Sequence, residues 1–135
     1  MTVSGPGQYH DAMNPENVVR DFCAVFARRD LEELLGFFSA DAIYHNMPMD
    51  PVQGHAAIRA TLGFYLSAAT TEAEFEVLAL AASGRTVLTE RIDRFAIGGK
   101  SVALPVMGAF EVTADGKIAA WRDYFDMAQF SAQLS

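Results

Sequence analysis

An arginine and an aspartate stand two residues apart in a segment that otherwise has the pattern of a β-strand. Along residues 89–95 the side chains alternate between two faces, so Arg91 and Asp93 lie on the same face. If that face points into the molecule, the two charges must pair or take part in chemistry, because isolated charges are costly in a low-dielectric interior. An edge strand with solvated charges is the alternative that this segment alone leaves open.

A second aspartate stands between two aromatic residues near the C-terminus. Trp121, Asp123 and Phe125 share one strand face, and an aromatic face of this kind normally points inward. Tyr44 and Asn46 share a face of an earlier short strand. Five polar side chains would then meet in an otherwise apolar pocket, which is the usual composition of a small-molecule site. Taken singly, each also fits a structural ion pair, a sheet-edge charge or a hydrogen-bonded strand end.

The composition indicates one domain and excludes several classes of partner. The chain has 135 residues, 51% of them hydrophobic, which is enough for a single core. We expect a loose leader over residues 1–13 and one domain over residues 14–135. The net charge of −7 and the scattered Lys and Arg residues argue against nucleic-acid or anionic-membrane binding. No uninterrupted apolar run is long enough to span a bilayer.

Cysteine and histidine usage argues against disulfides, zinc and histidine catalysis. The single Cys23 excludes an internal disulfide, and no Cys/His cluster has zinc spacing, so we expect an intracellular, cytoplasmic protein without a metal. Cys23 falls in the first predicted helix, where a core role is commoner than a nucleophilic one. His10 lies in the leader, His45 faces away from Tyr44, and His55 begins a helix. We therefore expect none of the histidines to be catalytic.

Three helices are predicted in the first half of the chain. The first begins at Asn14, an N-cap residue followed by Pro15 and an acidic first turn. The second begins at Asp30, and the third runs from His55 to about Ala69. Apolar residues recur at helical spacing in each: Val18, Phe22, Val25 and Phe26, then Leu31, Leu34, Leu35 and Phe38, then Ile58, Leu62, Tyr65 and Leu66.

The remaining segments have the alternating pattern of strands. After a break at residues 39–41, strands are predicted over residues 42–47, 74–81, 87–97, 101–113 and 117–125, with turns at 83–84, 98–99 and 114–116. Phe75, Val77, Ala79 and Ala81 should share a face, while Pro105 and Gly108 suggest a bend or bulge. Helices followed by strands predict an α+β fold, with helices on one face of a curved, mostly antiparallel sheet.

Three runs closely resemble the limonene-1,2-epoxide hydrolase family. They cover residues 44–48, 89–93 and 116–126, and contain in this order Tyr-x-Asn, Arg-x-Asp and Trp-Arg-Asp. The similarity extends from about Asn14 to Phe130. It implies a cone-shaped α+β roll whose curved, mixed, mostly antiparallel sheet wraps around N-terminal helices, as in cystatin-like, nuclear transport factor 2-like and SnoaL-like proteins. Because this roll hosts many activities, the motifs carry more of the functional expectation than the fold does.

The resemblance implies a reaction and a role for each polar residue. The family opens an epoxide to a vicinal diol in one step, without a covalent intermediate or a cofactor. Asp123 would be the general base on a water that Tyr44 and Asn46 also hold. Asp93 would give a proton to the epoxide oxygen, with Arg91 between the two acids. A free Asp, with a pKa of about 3.9, is a poor donor near neutrality, so we hypothesise that the two carboxyl groups share one proton.

The resemblance also assigns pocket-lining positions, for which core packing is the alternative. The positions are Cys23, Phe26, Tyr65, Ala69, Phe95, Leu104, Val106, Phe125 and Phe130. Tyr65 and Ala69 stand where the limonene enzyme of the family carries aliphatic and thioether side chains, which leaves the substrate open. We expect a small lipophilic epoxide, cyclic or terpene-like, and water as the partners.

Two other functional classes remain open from the sequence. One is an isomerase or polyketide cyclase of the same roll, in which one carboxylate moves a proton next to a carbonyl. The other is a non-catalytic carrier of lipophilic ligands. We also expect a homodimer, formed through an outer sheet face with Ile92 and Tyr124 between charges. The charged residues expected on the surface or at a subunit contact are Glu90, Arg94, Arg122 and Asp126.

Overall fold

The computed structural model describes residues 13–67 and 70–135, and within them four helices and six strands. The helices are α1 (Pro15–Val25, continued by a 3-10 turn at Phe26–Arg28), α2 (Leu31–Leu35), α3 (His55–Tyr65) and α4 (Met127–Leu134). The strands are β1 (Phe38–Asn46), β2 (Val52–Gln53), β3 (Thr70–Ser83), β4 (Thr86–Ile97), β5 (Lys100–Val112) and β6 (Ile118–Tyr124).

The strands form one mixed sheet in the order β2-β1-β6-β5-β4-β3. Only β1 and β6 run parallel, whereas the other four pairs are antiparallel and three of them are joined by short turns. In the hairpin between β4 and β5, Gly98 and Gly99 have φ angles of 55° and 79°, which a glycine pair adopts without strain. The α+β class and the mostly antiparallel sheet are as expected from the sequence.

The first two predicted helix starts are confirmed. The side chain of Asn14 accepts hydrogen bonds from the backbone N–H groups of Glu16 and Asn17, and that of Asp30 accepts one from Glu33. The apolar stripe of α1 is buried in the main core, where the Phe22 ring contacts Trp121 edge-on at 5.0 Å. Helix α1 therefore packs against the sheet face that carries the candidate polar residues.

The first strand begins earlier than the sequence pattern indicated. Phe38 belongs to β1 and not to the second helix, and residues 39–41 lie inside the strand. Phe38 pairs with Ile118 and Ile43 pairs with Ala120, so four residues of β1 lie opposite one residue of β6. This bulge accommodates the polar segment at residues 39–41, where the sequence pattern predicts a break. A two-residue strand, β2, also forms in the loop before α3.

Two other details of the strands differ from the sequence pattern. In β3 the register shifts between Val77 and Ala79, so Leu80 packs against the main core while Ala81 is exposed. The four alternating residues therefore do not share one face. In β5 the pairing with β4 continues without a bulge past Gly108, and the irregularity lies instead between Glu111 and Val112 on the side of β6.

The C-terminal helix α4 was not predicted from the sequence. The side chain of Asp126 caps it by accepting hydrogen bonds from the N–H groups of Ala128 and Gln129. Gln133 then exchanges two hydrogen bonds with the backbone of Ala103 on β5, at 2.8 and 3.0 Å. Helix α4 thereby covers a part of β5 that lies beyond the last pair formed with β6.

Two apolar clusters lie on the inner face of the sheet. The main core lies under α1, α2 and α3, whereas a smaller cluster forms around Phe95, Val102, Leu104 and Val106 and is covered by α4 and the end of α3. The buried polar side chains of β4 and β6 lie on the same inner face as both clusters. A bilayer-crossing helix is absent from the part of the chain that the structure describes.

Candidate active site

The strand register brings the polar residues of three distant segments into one row across the sheet. Asn46 of β1 lies beside Asp123 of β6, Asp123 beside Gly108 of β5, and Gly108 beside Thr89 of β4. Arg91 lies two residue pairs further along β4, opposite Val106. Its guanidinium reaches across β5 to Asp123, which is how residues far apart in sequence form a single site.

Arg91 is completely buried and uses all five of its N–H donors. Nε and Nη2 donate to the two oxygens of Asp93 at 2.9 and 2.8 Å. Nη1 and Nη2 donate to the two oxygens of Asp123 at 3.2 and 2.9 Å, and Nη1 also donates to Thr89 Oγ1 at 3.1 Å. The Phe75 ring lies over the guanidinium at 4.5 Å. One arginine therefore fixes two carboxyl groups in place.

The charges of this cluster are nearly removed from water. Asp93 is 6% exposed and Asp123 is 3% exposed. Burial raises the pKa of Asp93 to about 6, although the hydrogen bonds and charge of Arg91 act in the opposite direction. Burial alone would lower the pKa of Arg91, but the two carboxylates more than offset it, so the guanidinium stays charged. Asp93 can therefore hold and release a proton at mildly acidic to neutral pH.

Asp123 has a partner that was not predicted from the sequence. The indole Nε1 of Trp121 donates a hydrogen bond to Asp123 Oδ1 at 2.7 Å. The Trp121 ring also stacks on Tyr44, with centroids 4.1 Å apart and planes 11° apart, and on Phe110 at 5.7 Å. Trp121 thus holds the carboxylate and supports the tyrosine at once. Its position two residues before Asp123, on the same strand face, was the available signal.

Tyr44 and Asn46 form a hydrogen-bonded pair next to Asp123. The Tyr44 hydroxyl donates to Asn46 Oδ1 at 3.3 Å. Burial, with the nearby negative charge of Asp123, raises the pKa of the Tyr44 phenol well above its ordinary value. Tyr44 therefore stays protonated and can act as a hydrogen-bond donor. All five polar residues expected at the site are brought together on the inner face of the sheet.

The residues predicted to line a pocket divide into two groups. Six of them belong to the smaller apolar cluster or pack against it: Tyr65, Phe95, Leu104, Val106, Phe125 and Phe130. The Tyr65 ring meets Phe95 edge-on at 5.2 Å. Cys23 and Phe26 lie in the main core, and Ala69 lies outside the described residues. Burial raises the pKa of the Cys23 thiol to about 12, so it is a poor nucleophile at neutral pH.

The histidines lie apart from this cluster where they can be located. His45 Nε2 contacts the Met49 carbonyl oxygen at 2.8 Å, and His55 Nε2 contacts that of Phe38 at 3.0 Å. His10 lies outside the described residues. Across residues 13–67 and 70–135, no group of three or more His, Cys, Asp or Glu side chains is close enough to hold a metal ion.

The arrangement can move protons at two places at once. One carboxyl group lies beside a tyrosine and an asparagine that can hold a small polar molecule, while the other lies beside an apolar cluster. A carboxyl group with a raised pKa suits proton donation, and an ionised one suits proton abstraction. The geometry therefore supports concerted acid and base chemistry on a molecule that is mainly apolar.

Known proteins provide an independent comparison. The family model described as limonene-1,2-epoxide hydrolase catalytic domain matches residues 13–135. Epoxide hydrolase EphG of Mycobacterium tuberculosis (strain ATCC 25618 / H37Rv) is 35% identical over 116 residues, which cover 81% of this chain and 71% of EphG. A solved structure of an M. tuberculosis LEH-like epoxide hydrolase is 30% identical, with a TM-score of 0.78 and 90% coverage of both chains.

A more distant structure shares the fold alone. SalBIII, an epoxide hydrolase/cyclase-like enzyme of pyran ring formation in the polyether salinomycin, has a TM-score of 0.78 at 19% identity, with 88% of this chain and 95% of that chain covered. These matches confirm the family resemblance and the expected roll.

Proposed function

The chain belongs to the family of limonene-1,2-epoxide hydrolase catalytic domains, and we propose that it hydrolyses a small lipophilic epoxide to a vicinal diol in one step. Membership in this family supports epoxide hydrolysis as the general activity. The proposal adds the roles of the five polar residues, the absence of a covalent intermediate and the chemical class of the substrate.

The observation that carries the proposal is the bridge that Arg91 forms between two buried carboxyl groups. Each carboxyl group accepts two hydrogen bonds from the same guanidinium. One positive and two negative charges leave a net negative charge in the interior, which is costly. A single proton shared by Asp93 and Asp123 makes the cluster neutral. The resting enzyme would then contain one acid and one base, which is what epoxide opening by water requires.

The reaction then proceeds by general-base catalysis at the attacked epoxide carbon and general-acid catalysis at the epoxide oxygen. Asp123 takes a proton from a water that Tyr44 and Asn46 help to hold, and the water oxygen forms a bond to an epoxide carbon. The C–O bond of the ring breaks as Asp93 gives its proton to the epoxide oxygen. A proton must pass from Asp123 back to Asp93 before the next turnover. The sum of these steps is epoxide plus water giving a diol.

The surroundings of the two acids indicate the substrate class. The smaller apolar cluster lies beyond Asp93 along β4, and its members include Phe95, Leu104 and Phe130. Such a wall favours a cyclic or terpene-like epoxide over a charged one. The Tyr65 ring packs edge-on against Phe95 and occupies space along this apolar wall. We therefore expect the preferred epoxide to differ in shape from limonene oxide. We expect the reaction to take place in the cytoplasm.

The proposal is tested by following diol formation from limonene-1,2-oxide and cyclohexene oxide with the purified, metal-free protein. Asp93→Asn and Asp123→Asn should each lower kcat by about 10²-fold to 10⁴-fold, the usual contribution of a general acid or base. Glu111→Gln is the matched control, since it makes the same chemical change in an exposed carboxylate that pairs with Arg122.

Circular dichroism should show that all three variants fold. Wild-type activity in Asp93→Asn or Asp123→Asn would contradict the assigned roles. Failure of the parent protein on a broad epoxide panel would favour the isomerase, cyclase or ligand-carrier alternatives. A carrier would retain its ligand after Asp123→Asn, which separates it from an enzyme.

A homodimer is the second part of the proposal. Four large apolar side chains on the outer sheet face are 45–53% exposed: Leu78, Leu88, Met107 and Tyr124. They come from four adjacent strands, so they form one patch that a second copy of the chain would cover. Light scattering at micromolar concentration should give twice the chain mass, and Leu88→Glu should shift the protein to monomer. A stable wild-type monomer would refute this part.

A further inference from the structure

Gly108 lies directly beneath the guanidinium of Arg91, in the middle of the site. It is the β5 member of the row that also contains Asp123 and Thr89, and Arg91 must cross β5 at this point to reach Asp123. Any side chain at position 108 would point toward the same inner face. On the basis of the proposed function, we propose that Gly108 is a positioning residue: because it has no side chain, it leaves the space in which Arg91 lies between the catalytic acid and base.

The space above Gly108 is occupied by the side chains of Arg91, Thr89 and Asp123. A Cβ atom on residue 108 would overlap Arg91 Nη1 and lie 2.8 Å from Thr89 Oγ1 and 2.9 Å from Asp123 Oδ1. Contacts below 3.0 Å are essentially absent for real Cβ atoms. All three neighbouring residues are at most 3% exposed. They cannot rotate into solvent to make room, because the close-packed interior holds them on every side.

The overlap falls on Nη1 of Arg91, which makes one of its two hydrogen bonds to Asp123. Nη1 donates to Asp123 Oδ1 at 3.2 Å and to Thr89 Oγ1 at 3.1 Å. A methyl group at position 108 would displace Nη1 and break both bonds. The Nε bond to Asp93, on the other edge of the guanidinium, is further from the overlap. Only the Nη2 bond to Asp123 Oδ2 would then connect the guanidinium to the base, which weakens the link that fixes the separation of the two carboxyl groups.

Backbone conformation does not explain this glycine. The glycines with a positive φ in the described residues lie at turns and loops, and Gly108 is not one of them. The pairing of β5 with β4 runs through Gly108 without a register shift. A glycine in the interior of a strand weakens it, because it adds backbone entropy to the unfolded chain and has no side chain to pack. Position 108 therefore requires a glycine because the guanidinium of Arg91 occupies the space of a side chain.

The first experiment compares Gly108→Ala with a glycine-to-alanine control. Gly63→Ala on α3 is the control, since its Cβ would meet only Leu31 Cδ2, at an ordinary 3.6 Å. In the presence of an epoxide substrate, Gly108→Ala should lower kcat at least about 100-fold, the scale of a 1 Å misplacement of catalytic groups. KM should stay within about threefold, because the apolar wall is unchanged. Gly63→Ala should keep wild-type kcat and KM.

The second experiment needs no substrate, so it separates this inference from the proposed function. The thermal midpoint is measured for the wild type, Gly108→Ala, Arg91→Lys and the double variant. Lysine has no Nη1 atom, so Arg91→Lys removes the severest of the three overlaps, while the close approaches to Thr89 Oγ1 and Asp123 Oδ1 remain. Gly108→Ala should lower the midpoint of the wild type by roughly 5–15 °C. The double variant should melt less far below Arg91→Lys than Gly108→Ala melts below the wild type, because only the overlap with Nη1 is removed.

Several outcomes would overturn the inference. These are a near wild-type kcat in Gly108→Ala, or an equal loss of midpoint temperature in both backgrounds. If Gly108→Ala alone does not fold, the double variant should regain a cooperative transition. A double variant that also fails to fold would show that the glycine serves the strand and not Arg91. Loss of epoxide turnover in every protein, with the midpoints as expected, would refute the proposed function alone.

Discussion

Strand β4 carries two arginines that form ion pairs of the same length on opposite faces of the sheet. Arg91 donates to Asp93 at 2.8 Å with both side chains buried, and Arg94 donates to Glu76 at 2.8 Å with side-chain exposures of 49% and 43%. The distances do not distinguish the two pairs, so the difference between them is the surrounding medium. Water can solvate either partner on the outer face, whereas the inner pair depends on its own hydrogen bonds.

The difference in medium decides which ion pair can do chemistry. At the surface, water solvates both partners and salt weakens their interaction. In the interior, burial raises the pKa of Asp93 to about 6, so a proton is available near the second carboxyl group. Burial, and not the distance between charges, makes the Arg91 cluster a candidate acid–base site.

Removing either arginine should give very different losses of stability. Arg91→Met leaves two buried carboxyl groups without their cation and should lower the free energy of unfolding by about 3–5 kcal/mol. Arg94→Met, on the same strand, should change it by less than about 1 kcal/mol. Urea unfolding at pH 8 measures both. The loss in Arg91→Met should be smaller at pH 5, because Asp93 can then be neutralised by a proton. Equal losses in the two variants would remove the basis of the comparison.

Removing the indole N–H of Trp121 tests whether its hydrogen bond to Asp123 contributes to catalysis. Trp121→Phe keeps an aromatic ring next to Tyr44 but loses the 2.7 Å bond to Asp123 Oδ1. Hydrogen bonds to charged groups contribute about 1.5–3 kcal/mol, so kcat should fall about 10-fold to 100-fold. KM should change little, because Trp121 lies in the main core rather than in the smaller cluster. A folded variant with unchanged kcat would show that the indole is only part of the core.

The pH dependence of stability should reveal the raised pKa of Asp93. Its pKa is about 6 in the folded protein and about 3.8 in the unfolded chain, so the folded state binds more protons between these values. The contribution of Asp93 is therefore fully present below about pH 4 and is lost as the pH rises to about 6. Denaturant unfolding from pH 4 to 8 should show this decline in the wild type and a flatter curve in Asp93→Asn. Parallel curves would contradict the assignment. Turnover should fall as the pH rises through about 6, where Asp93 of the folded protein loses its proton.

The outer ion pair should have the smallest effect. A double-mutant cycle with Glu76→Gln and Arg94→Gln should give a coupling free energy below about 1 kcal/mol, and 1 M NaCl should largely remove it. Neither change should alter kcat, since both side chains lie on the face away from the site. A coupling as large as that of a buried pair would mean that this surface is covered in solution, as in the proposed dimer.

The sequence was sufficient for the class of fold and for the strand faces on which the polar residues lie, because both depend on local alternation. Tyr44, Asn46, Arg91 and Asp123 lie on the inner face as the parity of each strand predicted. The bulge in β1 and the one near Val77 were not predictable, because each depends on the partner strand. Helix α4 has local signals in the sequence, namely the capping residue Asp126 and apolar residues at helical spacing, but it is only eight residues long.

The parts of the site that were missed depend on packing across strands. Nothing local identifies Thr89 as an acceptor for Arg91, and a glycine inside a strand indicates a bulge as readily as a close approach. Only the register, which places Gly108 between Thr89 and Asp123, shows why the position has no side chain. Cross-strand pairs follow from the whole sheet and not from the residues around each position.

The central claim is that water attacks the epoxide directly, with Asp123 as its base. A single turnover in H₂¹⁸O, with enzyme in excess over epoxide, tests this most directly by mass spectrometry of the diol and of the peptide that contains Asp123. The account predicts one ¹⁸O atom in the diol of the first turnover and no label in Asp123. A first-turnover diol without ¹⁸O, together with label in an aspartate carboxyl group, would show a covalent intermediate and contradict the account.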